Sequence, residues 1–201
     1  EKTESRISDI SYSENMLCQD QKTTNYCWAN APVYCVQLVR MLNGLGIEYL
    51  SPASVAAPIK GFINKGGFGS QALEYIIENG IVPSKYWPEN SIDEKYLNEY
   101  NSEIAKNYLV TEWYDLKAGN FEQLMTCLLL RIPVAVGYLW WGHEVSAVDP
   151  ISFGDDEFGI RIRNSWGMSY GKDGYAILAE KAAAADDAVA PRVIVSYPHN
   201  A

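Results

Sequence analysis

Cys27 lies near the start of QKTTNYCWANAPVYCVQLVRMLNG, residues 21–44, in which Cys27, Ala31, Cys35, Leu38, Val39 and Leu42 recur at helical spacing before an Asn43-Gly44 stop. A thiol at a helix start meets unpaired N–H groups and the positive end of the helix dipole. Both stabilise the thiolate, the form that attacks a carbonyl carbon. A cysteine in an apolar helix is equally well a small buried hydrophobe, so the thiol reads as a nucleophile only with partners. Two stand downstream. Gly142-His143-Glu144-Val145 opens an alternating segment with one of the chain's two histidines, and Asn164-Ser165-Trp166-Gly167 sets an asparagine ahead of a tryptophan. Cysteine, histidine and asparagine in that order supply a nucleophile, a base for its proton and a group that orients the base.

The elements that must hold these residues read as helices first and strands second, an α+β chain. Glu1 to Leu17 reads as an irregular entry strand. Pro32 predicts a kink or a displaced start in the central helix, since it removes a backbone N–H and crowds the preceding turn. Ser51-Pro52 opens a short helix toward Ala57, interrupted by Pro58, and Lys60 to Gly69 is a loop. Ser70 to Gly80 is a helix with Leu73, Ile76 and Ile77 on one face and a glycine stop. Ile92 to Tyr108 carries Tyr96, Leu97, Tyr100 and Ile104 at helical spacing, an aromatic and aliphatic stripe for core or lobe surface. Leu109 to Tyr114 is a strand, and Asn120 caps a helix through Arg131. Strands are expected at 134–141, 143–148, 158–163, 175–178 and 193–197. Gly154 to Glu157 is a solvated hairpin turn, too short for a calcium loop. Lys181 to Ala190, rich in alanine, reads as a surface helix or a flexible connection without chemistry, and His199 as a bystander.

On these residues the chain resembles the papain-like cysteine peptidases. Gln21 stands six residues before Cys27, where that family has its oxyanion-hole glutamine, and Cys27-Trp28-Ala29 is similar to its nucleophile motif. Asn164-Ser165-Trp166-Gly167 with Tyr170-Gly171-Lys172-Asp173-Gly174-Tyr175 resembles its asparagine motif and trailing turn. Gly66-Gly67-Phe68 before Ser70-Gln71-Ala72-Leu73 resembles its substrate-binding glycine pair. The resemblance spans about Gln21 to Tyr175. It implies a two-lobe fold: a helical lobe at about 21–108, an antiparallel β-barrel-like lobe at about 109–201, the N-terminal segment crossing between them and the active-site cleft in between. It implies a thioester acyl-enzyme formed by Cys27, with His143 as its base and Asn164 orienting the ring. The oxyanion would be held by the Cys27 N–H and Gln21. Gly66, Gly67 and Phe68 would bind substrate, and Trp28 and Trp166 would support the site.

Departures accompany the matches. Thr24 stands where the family commonly has a cysteine, so the disulfide it would anchor is missing, and Lys65 replaces a usual asparagine. His143 follows Cys27 by 116 residues, fewer than the roughly 130 typical of the family. The trimming falls before Gly142-His143 and bears on primed-side specificity more than on the chemistry.

Composition limits the rest. With 201 residues, 48% of them hydrophobic, the chain can bury the core of one catalytic domain. A formal charge of −9 argues against nucleic acid and hints at basic substrates or partners. No apolar run approaches the length of about eighteen residues that a membrane span needs, and no cofactor or metal-ligand cluster is expected. The partner expected is a peptide or protein substrate. Starting at Glu1 with no room for an inhibitory prosegment, the chain reads as a processed form or a domain of a longer polypeptide. Four cysteines and the lack of a glycosylation sequon favour an intracellular, bacterial or viral origin over a lysosomal or secreted one. Two rivals to peptidase activity stay open: a catalytically silent binding or structural protein with the same fold, and a thioester-forming amidase or transferase.

Overall fold

The computed structural model describes residues 6–154 and 157–195. Six helices, α1 (Ser8–Ser13), α2 (Cys27–Leu42), α3 (Ala53–Ile59), α4 (Gly69–Asn79), α5 (Glu99–Ala105) and α6 (Phe121–Leu129), accompany six strands among these residues. The strands are β1 (Leu109–Asp115), β2 (Val134–Tyr138), β3 (His143–Gly154), β4 (Glu157–Arg163), β5 (Tyr175–Ala179) and β6 (Asp187–Val195). They form one antiparallel sheet in the order β1-β6-β2-β3-β4-β5.

Strand periodicity assigns the two faces. Ala135 of β2 and Val189 of β6 join the core of α2, α3 and α4, while Val134, Val136, Ala188 and Ala190 pack with Leu124 and Leu128 of α6 on the other side. On β3 the same alternation turns Glu144, Ser146 and Val148 toward α2, and Val145 and Ala147 toward α6. The central helix is buried along nearly its whole length. Wedged between the other helices and the sheet, its first turn has a fixed position.

Several expectations need correction. The polar segment before Leu17 contains a helix, α1, whose Ser8 reaches β3 by hydrogen bonds to Asp149. Helix α2 starts at Cys27 and runs through Pro32, and α3 continues through Pro58 to Ile59. Tertiary burial of both helices outweighs the one hydrogen bond each proline removes. The largest departure is Lys181 to Ala190. It is neither surface helix nor loose connection: a helical turn at Glu180–Ala183 leads into β6, an interior strand of the sheet, six residues earlier than the strand expected at 193. Small alanines suit a strand with helices on both faces. Strand β2 ends at Tyr138, three residues short of expectation, in a turn closed by Gly142 N–H to Tyr138 C=O at 2.8 Å. The stripe at 92–108 is broken into α5 and two single turns. Asn120 caps α6 by accepting from the Gln123 N–H at 3.0 Å, and α4 ends at Gly80 with φ 74°. Gly154 and Glu157, the ends of the expected turn, pair in register across β3 and β4; Asp155, Asp156, Tyr197 and His199 lie outside the described residues.

Candidate active site

Cys27 is the first residue of α2, so its N–H is among those with no acceptor within the helix. The backbone N–H groups of Glu144, Trp28 and Cys27 itself interact with the sulfur and lower its pKa, but burial is the larger effect and pushes the thiol up. Ser146 Oγ donates to Ala31 C=O at 3.0 Å and holds the first turns of α2 against β3, two elements more than 110 residues apart in sequence. Burial also raises Cys18, Cys35 and Cys127, and all four cysteines are free thiols. What distinguishes Cys27 is its surroundings. It lines a cavity of about 220 Å³ with Trp28, Gly67, Phe68 and His143.

His143 is buried, and burial lowers its pKa while the Asn164 hydrogen bond works the other way. Its Nε2 lies 2.7 Å from Asn164 Oδ1. The same Oδ1 accepts the Ser165 N–H at 2.7 Å, which settles which end of the amide faces the ring. Nε2 therefore carries the proton and donates, and in a neutral ring Nδ1 is left with the basic lone pair. Trp166 stacks on the imidazole at 4.6 Å between centroids and Trp141 meets it edge-on at 4.9 Å. The two indoles shield the ring from water. Gly142, just before His143, has φ 61°, a conformation that lets the short turn deliver the histidine to the cleft.

Gln21 does not line the cavity. Its Nε2 donates to Thr24 C=O at 2.8 Å and its Oε1 accepts from Ser165 Oγ at 2.5 Å, leaving one amide N–H without a partner among the described residues. Gln21 N–H to Ser165 C=O at 2.8 Å and a bridge between Asp20 and Trp166 tie the segment before Cys27 to the segment after Asn164. Gly67 approaches Trp28 so closely that an added Cβ would lie 2.6 Å from the indole. Trp28 in turn donates Nε1–H to Lys65 C=O at 3.1 Å and lies under Lys60 Nζ at 4.8 Å. Gly66 faces open space and Phe68 is 59% exposed. The structure thus gathers Cys27, Trp28, Gly67, Phe68 and His143 around one cavity, with Asn164 and Trp166 behind the histidine, while Gln21 and Gly66 are not among its lining residues.

Sequence reasoning passed over further lining residues of the cavity, Gly137, Glu144, Asp186 and Asp187. Glu144 had one signal, a carboxylate in an otherwise apolar or hydroxyl-bearing run. Asp187 had none, because it falls in the segment read as a connection. Among the described residues no group of three or more His, Cys, Asp or Glu could hold a metal ion, and no helix is long and apolar enough to cross a membrane.

No family model matches the chain. Sequence comparison finds macrodontain-1 of Ananas macrodontes, 25% identical over 74% of this chain and 76% of that protein. Fruit bromelain of Ananas comosus is 24% identical over 80% of this chain, and rat cathepsin S 25% identical over 57%. The chain spans only 50% and 40% of the lengths of those last two. Among solved structures, bromelain protease from Ananas comosus in complex with an inhibitor matches with a TM-score of 0.73 at 21% identity, covering 94% of this chain and 97% of that one. Digestive procathepsin L 3 of Tenebrio molitor matches with a TM-score of 0.73 at 21% identity, covering 88% and 66%. The fold is papain-like, α+β with two lobes, and the sequence relatives include proteins named as a probable cysteine protease of Arabidopsis thaliana and a cysteine proteinase of Dictyostelium discoideum, 24% and 25% identical. The plant and animal relatives give the expected intracellular, bacterial or viral origin no support.

Proposed function

We propose that this divergent papain-like chain is a cysteine endopeptidase that hydrolyses peptide bonds through a thioester on Cys27. The observation that carries the reading is the His143–Asn164 hydrogen bond at 2.7 Å, because it leaves Nδ1 as the proton acceptor of a histidine sharing a cavity with the thiol. Burial disfavours either charge alone, raising Cys27 and lowering His143. Proton transfer from Sγ to Nδ1 creates both charges together, so their attraction offsets the desolvation of each.

The thiolate attacks the substrate carbonyl, and the Cys27 N–H with the remaining Gln21 amide N–H receives the oxyanion. Each such donor is worth about 3 kcal/mol in comparable sites. The imidazolium then protonates the leaving amine, and water deprotonated by His143 hydrolyses the thioester. Gly66 and Gly67 offer their backbone to an extended peptide, Phe68 borders its side chains, and Trp28 and Trp166 hold the two walls. A helical lobe to about Tyr108 and a β lobe from about Leu109 are part of the same proposal, as is control by a prosegment, a form in which two of the similar structures, procathepsin L 3 and a ragweed pollen cysteine protease, were solved.

The test joins labelling to turnover. Iodoacetamide should label Cys27 well below pH 7, and His143→Ala should slow that labelling sharply. Cys27→Ala should abolish peptide cleavage, while Asn164→Ala should leave a measurable rate. Labelling that rises only above the ordinary thiol pKa of about 8.5, or cleavage by Cys27→Ala exceeding that of Asn164→Ala, would overturn the mechanism. Labelling without cleavage of any peptide would point instead to an amidase, a transferase or a silent site.

A further inference from the structure

Three neighbouring strands, β2, β3 and β6, contribute to the lining of the cavity beside Cys27. Gly137 of β2 pairs directly with Glu144 of β3 on one side and with Asp187 of β6 on the other. Residues directly opposite in an antiparallel ladder project from the same face, and here that face is the one turned to α2. Two carboxylates therefore flank a position with no side chain, their backbones two strand spacings apart, roughly 10 Å. All three residues line the cavity, Asp186 adds another carboxylate at its edge, and no Lys or Arg is among the lining residues.

Glu144 is 4% exposed, and its buried Oε1 has no hydrogen-bond partner. That oxygen occupies the space beside Gly69, at the start of α4, where a Cβ would come within 2.3 Å of it. The Gly69 N–H lowers the pKa of Glu144, but burial and then the charge of Asp187 push it well above the carboxylate range. Asp187 is likewise raised, by burial first and by Asp115 of β1 next. The other titratable groups near the pair are Cys27 and Cys35 of α2, Asp115 of β1, Asp186 and, on β3 itself, His143, so nothing permanently cationic among them balances the two acids. A buried carboxylate with an unused oxygen ordinarily marks a partner still to come.

We propose that the notch over Gly137 is the specificity pocket for a cationic side chain of the substrate, arginine or lysine, held between Glu144 and Asp187 on the acyl side of the scissile bond. This rests on the peptidase reading above. The guanidinium of arginine suits the arrangement best, because its planar fork presents donors in two directions at once. Entry of the cation favours the ionised form of both carboxylates, and any proton given up leaves to solvent.

Fluorogenic dipeptidyl amides carrying Arg, Lys or Leu at either of the two positions before the scissile amide test this. The wild-type protein should prefer Arg over Leu at one position by at least tenfold in kcat/KM. Glu144→Gln and Asp187→Asn should each cut that Arg-to-Leu ratio severalfold, and the double variant should abolish it. If Glu144 merely props the start of α4, both substrates fall together and the ratio holds, which overturns the proposal. So does a wild-type preference for Leu. Should Glu144→Gln fail to fold, Asp187→Asn gives the same reading from the less buried partner. A second measurement keeps the inference separate from the peptidase reading. N-acetylarginine methylamide, and not the leucine compound, should protect Cys27 from iodoacetamide in the wild type, with protection lost in Asp187→Asn. That outcome stands even if no peptide is cleaved, and equal protection by both compounds refutes the pocket.

Discussion

Strand β3 carries two buried carboxylates with opposite fates. Asp149, 1% exposed, accepts from Ser8 N–H at 3.1 Å, Ser8 Oγ at 2.5 Å and Arg161 Nε at 3.0 Å. It fastens α1 to the sheet and pairs with the neighbouring strand, so its oxygens are used by the protein itself. Glu144, five residues earlier at the cleft end of the same strand, keeps a buried oxygen unpartnered and faces Asp187. The protein completes the first carboxylate and leaves the second incomplete. The difference is one of position: the end of the strand where Glu144 lies opens on the cavity of Cys27, while the middle is closed over by α1. A buried charge serves architecture where folding supplies its partners, and serves recognition where a partner must arrive from outside.

Replacing the completed carboxylate should have the largest effect. Asp149→Ala removes an ion pair and two further acceptor bonds, and since Arg161 is only partly buried the loss should be about 3 kcal/mol. For a chain of this length that lowers Tm by roughly 6–12 °C, readable by thermal unfolding at neutral pH. A Tm within a degree or two of the wild type would mean that α1 is not held through Asp149, and the comparison would fail on its architectural side.

Glu144→Gln should behave oppositely. The folded-state pKa of Glu144 is raised, so its favourable contribution is complete below the unfolded value of about 4.3 and is lost as pH rises through the folded value. The variant cannot ionise. Its Tm should therefore match or exceed that of the wild type, with the gap widening from mildly acidic toward alkaline pH. A gap that instead narrows as pH rises would show that Glu144 is stabilised as an anion, with its partner already inside the protein.

Lys60→Met should have the smallest effect, and it probes the opposite wall. Lys60 Nζ lies over the Trp28 ring at 4.8 Å and donates to Gln71 Oε1 at 2.9 Å. The cation–π contact is worth about 0.5–1 kcal/mol at such a site, so thermal unfolding should shift by only a few degrees. A larger loss would show that the Trp28 wall depends on a charge as much as the Asp149 region does.

Legibility followed the physics of each segment. Helices α2 and α4 were readable because one apolar face at a period of 3.6 and a terminal glycine or Asn-Gly are local signals, and the Asn120 cap is equally local. Helix α1 was missed because six residues of mixed polarity carry no period. Prolines 32 and 58 misled, since their cost is local while the packing that outweighs it is not. Strand β6 was hidden by its alanines, which favour helix intrinsically and become strand only when β1 and β2 supply hydrogen bonds on both edges.

The same division holds at the cleft. The order Cys27, His143, Asn164 and the spacing of Gln21 from Cys27 belong to the sequence by itself, because motif chemistry is written in residue types a few positions apart. That Nε2 of His143 donates to Asn164, that Gln21 is tied to Ser165, and that Glu144 and Asp187 stand on either side of Gly137 were decided only by tertiary structure. These facts depend on strand register and packing between segments up to 144 residues apart. Register is set by which faces the helices bury, and no stretch of sequence around Glu144 or Asp187 contains that information.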